Sequence, residues 1–162
     1  MRLALFQMFV RSVICAGFWT VACSGSLLAC GCKSPEISVA LQRADVVFIG
    51  KVVNIRDFGQ DTYSAPARRV MVTFQVSRWW KGPVRRITVM HTRINTSDCD
   101  GFLSLKRGEE YIVYGYRKKN WNFRDALPNA DEVLGTGLCT RTTKLKFAVE
   151  DLKELGTGKA PE

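Results

Sequence analysis

The chain has 162 residues, with 24 Lys and Arg against 15 Asp and Glu, 46% hydrophobic residues, six cysteines and one histidine. This length fits one globular domain plus a leader, and a domain of roughly 130 residues buries about two-thirds of the surface its unfolded chain exposes, enough for its own core. With His91 as the single histidine, a multi-histidine metal site is excluded and no Ser-His-Asp set can be assembled from recognisable motifs; a lone histidine is ordinarily structural or exposed.

The first 29 residues have the pattern of a signal peptide. Arg2 and Arg11 precede the apolar run Val13 to Ala22, and Ser24-Gly25-Ser26 leads to Ala29; the run is short for a membrane span. Cleavage after Ala29 makes Cys30 the first residue of a mature domain, residues 30–162, with 22 basic and 15 acidic residues and a net charge of about +7. Leu27-Leu28-Ala29-Cys30 also matches a bacterial lipobox, in which Cys30 would carry lipid and an acylated amine. After Ala29 the cysteines are Cys30, Cys32, Cys99 and Cys139, an even set suited to two bridges in an oxidising compartment. Lipidation of Cys30 would strand one thiol, so the count favours a bare, secreted or periplasmic protein over a lipid-anchored one.

In chain order, Ser34-Pro35-Glu36 is a helix start, with Ser34 as cap and Pro35 at the first helical position, and the helix runs to about Ala44. Val46 to Ile55 is rich in β-branched residues and reads as a long strand with a bulge or bend at Gly50. Asp57 through Ala67 has turn chemistry and reads as a loop. Val70, Val72, Phe74 and Val76 alternate with Met71, Thr73, Gln75 and Ser77, the mark of a strand with one core face. The pair Trp79-Trp80 offers a ligand platform, but packing that anchors one end is expected of at least one of the two, and Lys81-Gly82-Pro83 turns the chain into a third strand over residues 84–92.

Residues 93–101 form a loop carrying Ser97-Asp98-Cys99, and the aromatic strand Tyr111 to Tyr116 follows. Arg117 to Asp131 reads as an exposed polar hairpin despite its basic and aromatic residues. Val133 to Leu138 is a short last strand ending at Cys139. From Thr142 the tail is helical, with Leu145, Ala148, Leu152 and Leu155 as a core stripe and Gly156 as the stop. The expected fold is mainly β: a five-stranded antiparallel, OB-fold-like closed barrel with two flanking helices, stapled by disulfides.

Catalytic signatures are missing from the sequence: it has no G-x-G-x-x-G, no phosphate-cradling loop and no spaced carboxylate pair on a recognisable helix. The chain therefore reads as a non-enzyme with no cofactor. The four cysteines could hold zinc, but C-x-C is tighter than the usual structural knuckle, and export favours disulfides.

Cys30-Gly31-Cys32 at the cleavage site, Ser97-Asp98-Cys99 in a mid-chain loop and Cys139 before a terminal helix together resemble the N-terminal inhibitory domain of the tissue inhibitors of metalloproteinases. The small bacterial exported relatives of that domain, which consist of the barrel alone, are more similar still. The resemblance spans the mature chain, and the C-x-C is its most specific feature. It implies pairing of Cys30 with Cys99 and of Cys32 with Cys139, and a protease-binding ridge of Cys30, Gly31, Cys32, Lys33, Ser97, Asp98 and Cys99. It further implies that the main-chain amine and carbonyl of Cys30 chelate the zinc of a partner metalloprotease. Relative to the animal inhibitors, Gly31 presents no side chain to the protease's primary specificity pocket, Asp98 replaces an apolar residue, and Lys33 is charged. The alternative function is a non-enzymatic envelope or secreted module binding an anionic component through Arg85, Arg86, Lys118 and Lys119; export argues against nucleic acid as a partner.

Overall fold

The computed structural model describes residues 33–60, 67–94, 101–102, 105–119 and 131–161. In chain order the elements are α1 (Ile37–Arg43), β1 (Val46–Gln60), β2 (Arg68–Lys81), β3 (Ile87–Ile94), β4 (Gly101–Phe102), β5 (Glu110–Lys119), β6 (Glu132–Gly135), a 3-10 turn (Leu138–Thr140), β7 (Thr143–Lys144), a second 3-10 turn (Leu145–Phe147) and α2 (Val149–Leu155). β1 pairs with β2, β2 with β3, β3 with β6, β6 with β5, and β5 back with β1, so five strands close into a ring. The two-residue strands β4 and β7 add to it at β3 and β5.

The sheet is not antiparallel throughout, as the sequence led us to expect. β3 and β6 run parallel, with His91 opposite Gly135. The reason is topological: direction must reverse an even number of times around any closed ring, so an odd number of strands forces at least one parallel seam.

Two apolar layers explain which strands alternate and which do not. Inside the ring lie Val46, Phe48, Val52, Val70, Val72, Phe74, Val76, Met90, Tyr111 and Val113. Phe74 sits edge-on to Phe48 and to Tyr111, with ring centres 5.6 and 6.4 Å apart. Outside the ring, Val47, Ile112 and Tyr114 pack under Ala40 and Ala44 at the α1 side and Ala148 beside α2. Opposite faces of β1 and β5 therefore serve two cores, which is why Val46, Val47, Phe48 and Ile49 are all buried. Full burial of such side chains contributes about 1.5 to 3 kcal/mol each. β2 has one covered face over most of its length and keeps the expected alternation, with Val70, Val72, Phe74 and Val76 buried.

The bulge expected at Gly50 is present as a register shift between Ile49 and Gly50. Packing was expected of at least one tryptophan, and both pack: Trp79 lies against the inner core and Trp80 against the outer one. Their indole N–H groups donate to the carbonyls of Ala160 and Gly156, at 3.3 and 3.2 Å. The C-terminal tail also pairs with β2 through an antiparallel bridge between Lys159 and Trp79.

Several element boundaries differ from the sequence reading. α1 begins after Glu36 rather than after Ser34, and its first backbone bond runs from the Ala40 amide to the Glu36 carbonyl at 2.8 Å. The Pro35 carbonyl, which would extend the helix, instead accepts a bond from Arg141. β1 continues to Gln60 through residues read as loop. There, Asp57 takes the Gly59 amide at 2.7 Å and pairs with the Arg68 guanidinium across the hairpin. This hydrogen bond from Arg68 lowers the Asp57 pKa, with burial opposing. β3 starts at Ile87, three residues later than expected, because Gly82-Pro83-Val84 forms a turn closed by the Val84 amide on the Gly82 carbonyl.

β5 extends to Lys119, antiparallel to β6, so the start of the expected excursion is strand; residues 120–130 lie outside the described residues. The tail that read as one helix from Thr142 is a short strand, a 3-10 turn and then α2. Gly156 ends α2 as expected, with its amide on the Leu152 carbonyl at 3.2 Å. Among the described residues, no helix is long and apolar enough to cross a membrane.

Candidate functional site

The turn between β6 and β7 carries Cys139, which is disulfide-bonded. A buried threonine cluster shapes this turn. Thr136 and Thr142 share a hydroxyl–hydroxyl bond of 2.7 Å, and both hydroxyls reach the Tyr114 carbonyl at 3.2 Å. Thr142 also accepts the Tyr114 amide at 2.9 Å, and Thr140 closes the 3-10 turn by donating to the Gly137 carbonyl at 2.6 Å. Short hydroxyl side chains can satisfy buried backbone groups in this way where a ladder bond is missing.

On one side the turn is tied to β3: the Thr92 hydroxyl donates to the Thr136 carbonyl at 2.7 Å, and the Thr136 amide donates to the His91 carbonyl at 3.2 Å. β3 ends at Ile94, just before the segment that carries Ser97, Asp98 and Cys99, and the chain returns as β4 beside Arg93 and Ile94. On the other side the turn is tied to the start of the described chain. The Nη1 of Arg141, two residues beyond Cys139, donates to the Pro35 carbonyl at 2.8 Å. Lys33 and Ser34 next to it are exposed.

Arg141 is itself held by a carboxylate. Its Nε donates to Asp151 Oδ1 at 2.7 Å and its Nη2 to Oδ2 at 3.1 Å, a two-point pairing in which the Asp151 side chain is 4% exposed. The Tyr114 hydroxyl donates to the same Oδ1 at 2.7 Å. The bond to Asp151 raises the Arg141 pKa further; burial and then the bond to Asp151 push the Tyr114 phenol upward, so it stays neutral. Arg141 also has a φ of 74°, a left-handed conformation unusual outside glycine and asparagine. A cavity of about 180 Å³ lies beside this network, lined by Pro35, Ala40, Tyr114, Tyr116, Cys139 and Thr140 among others.

Of the ridge residues read from the sequence, Lys33 is described and exposed. Cys30, Gly31, Cys32, Ser97, Asp98 and Cys99 lie outside the described residues. His91 is 5% exposed within β3 and contacts the Leu134 carbonyl through Nδ1 at 3.4 Å, in accord with a structural role. Burial, reinforced by the charge of Lys118, lowers its pKa and keeps it neutral at physiological pH. Arg85, Arg86 and Lys119 are exposed, and Lys118 is half-buried with its side chain lying over Gly135. Among the described residues, no group of three or more His, Cys, Asp or Glu is placed to hold a metal ion.

The Arg141, Asp151 and Tyr114 network was missed by the sequence reading. The available signal was Asp151 itself, a carboxylate on the same helical face as Ala148, Leu152 and Leu155.

No family model matches the chain. The chain is 29% identical to metalloproteinase inhibitor 2 of the dog (Canis lupus familiaris) over 94 residues, which is 57% of this chain and 43% of that protein. Against metalloproteinase inhibitor 2 of cattle (Bos taurus) it is 29% identical over 101 residues, 61% of this chain and 46% of the relative. The human protein (Homo sapiens) is also 29% identical, over 89 residues, 54% and 40% of the two chains. The chain thus spans less than half the length of these relatives, which are named as inhibitors and not as enzymes. These matches support a distant relationship to the metalloproteinase inhibitors, of the kind that the N-terminal inhibitory domain represents.

Proposed function

We propose that this chain is an exported, non-enzymatic metalloproteinase inhibitor whose mature form begins at Cys30. Residues 1–29 act as its signal peptide, Cys30 pairs with Cys99 and Cys32 with Cys139, and the five-strand ring is a barrel of the OB type. The order in which the strands close supports that barrel reading. The observation that carries the function is the double tether of the Cys139 turn. It bonds to β3 just ahead of the Cys99 segment and to Pro35 just after Cys32.

Two bridges at such a junction would hold the N-terminus stiffly. The chain-entropy model gives each long loop about 4 to 5 kcal/mol. An α-amino group has a pKa of about 7.7 to 8.0, so its neutral, metal-binding form is accessible near neutral pH. Zinc at the open position of a catalytic site accepts nitrogen and oxygen donors, and a preordered ligand loses little entropy on docking. Gly31 then follows the chelating residue without filling the protease's specificity pocket, so that contact adds little to binding and the chelating amine and carbonyl carry more of it. Lys33, Ser97 and Asp98 complete the contact ridge with Cys99.

The test is inhibition of a secreted zinc metalloproteinase by the form beginning at Cys30 and by the same form with one alanine added before Cys30. The addition moves the amine off the metal, so inhibition is expected to fall to an undetectable level; equal inhibition by both forms contradicts the proposal. Salt-sensitive binding to anionic vesicles or glycans, unaffected by the extension and weakened by neutralising Arg85, Arg86, Lys118 and Lys119, would instead assign the function to the basic face.

A further inference from the structure

We propose that Arg141 is a positioning residue that sets the direction in which the N-terminal segment leaves the ring. Its importance for inhibition rests on the reading above, whereas its effect on the segment does not. All three guanidinium nitrogens are committed: Nε and Nη2 to the two oxygens of Asp151, and Nη1 to the Pro35 carbonyl. Because the guanidinium is planar and rigid, fixing two nitrogens on Asp151 also fixes the direction of the third. Asp151 is in turn fixed by the Tyr114 hydroxyl and by its own burial in α2. The Pro35 carbonyl is therefore located relative to β5 and α2 by a chain of short polar bonds.

Two further observations mark this as more than a filler contact. The Pro35 carbonyl makes this bond and no helix bond of α1, whose first hydrogen bond starts one residue later, from the Glu36 carbonyl. Arg141 also keeps a positive φ that glycine would adopt without strain. Lysine at this position could keep a charge near Asp151, but as a single point it could not hold the carboxylate and the carbonyl in one fixed relation.

The test uses the disulfide-intact mature protein with Arg141→Lys, and Arg141→Gly as a second variant whose relieved backbone strain offsets part of the lost pairing. Amide order parameters are measured by nitrogen-15 relaxation at Lys33, Ser34 and Glu36, and at the core positions Val47, Ile112 and Val113. In both variants the first group is expected to drop from about 0.8 to below about 0.6 while the core stays near about 0.85. The association rate constant with a zinc metalloproteinase is expected to fall about tenfold or more, as a preorganisation cost returns. No change at residues 33–36, or a loss of order shared equally by the core, overturns the proposal. Loosening confined to residues 33–36 in a protein that never inhibits sustains the positioning role and removes the inhibitory reading.

Discussion

Arg141→Ala is expected to lower the unfolding free energy by about 3 to 5 kcal/mol, because it leaves the buried Asp151 carboxylate without its cation. The two halves of the pair should not respond equally. The Asp151 side chain is 4% exposed and the Arg141 side chain 17%, so a stranded guanidinium can turn towards water more readily than a stranded carboxylate. Asp151→Ala is therefore expected to cost less, about 2 to 3 kcal/mol including the lost partner of the Tyr114 hydroxyl. The double variant should cost clearly less than the two single losses added together, since neither charge is then orphaned. Urea unfolding of the four proteins measures this. Equal and additive losses would show that the pair acts as independent packing and not as a coupled charge unit.

Gly82→Ala is expected to be the other severe substitution, with a loss of more than about 2 kcal/mol. Gly82 has a φ of 80°, and a Cβ there would run into the Asp45 carbonyl oxygen and lie 2.8 Å from Val46 Cγ1. Asp45 cannot give way cheaply. Its amide donates to the Gly115 carbonyl at 2.8 Å, and its carboxylate accepts the Arg117 amide at 2.7 Å. Gly108 is the control: its φ is 88°, but nothing lies within 4 Å of a Cβ placed there. Gly108→Ala should cost only the conformational penalty of about 1 kcal/mol, and thermal unfolding separates the two cases.

The contrast between those glycines bears on what could be read from the sequence. The Lys81-Gly82-Pro83 turn was legible from residue type, but its tightness was not, because the obstructing carbonyl belongs to Asp45, far away in sequence. The alternation of β2 was legible because over residues 70–76 one of its faces is covered. In β1 and β5 the pattern merged into continuous apolar runs, since the helices cover the outside and the ring the inside. The five strands of the ring and the presence of both helices could be inferred from residue type and patterning, whereas the two-residue strands β4 and β7 could not, and the parallel seam at His91 and Gly135 required counting strands around a closed ring.

Residues 57–60 read as loop because of their turn chemistry, with Asp57 and Gly59, and they remain strand because hairpin pairing with β2 does not require a buried face. Of the candidate site, the sequence offered a set of cysteines and no geometry, and of these Cys139 alone lies among the described residues. Arg141 and Asp151, ten residues apart, meet because β7 and the second 3-10 turn lead the chain from Arg141 into α2 and back beside it. Neither local propensity nor hydrophobic period registers such a contact.

The inhibitory account requires an unmodified amine on Cys30 and two sulfur bridges behind it, and the intact mass of the protein exported by its native host tests both. The account predicts the mass of residues 30–162 reduced by two hydrogens for each of two bridges, with those hydrogens regained on reduction. A mass carrying acyl chains, a chain beginning anywhere other than Cys30, or no gain on reduction would contradict it.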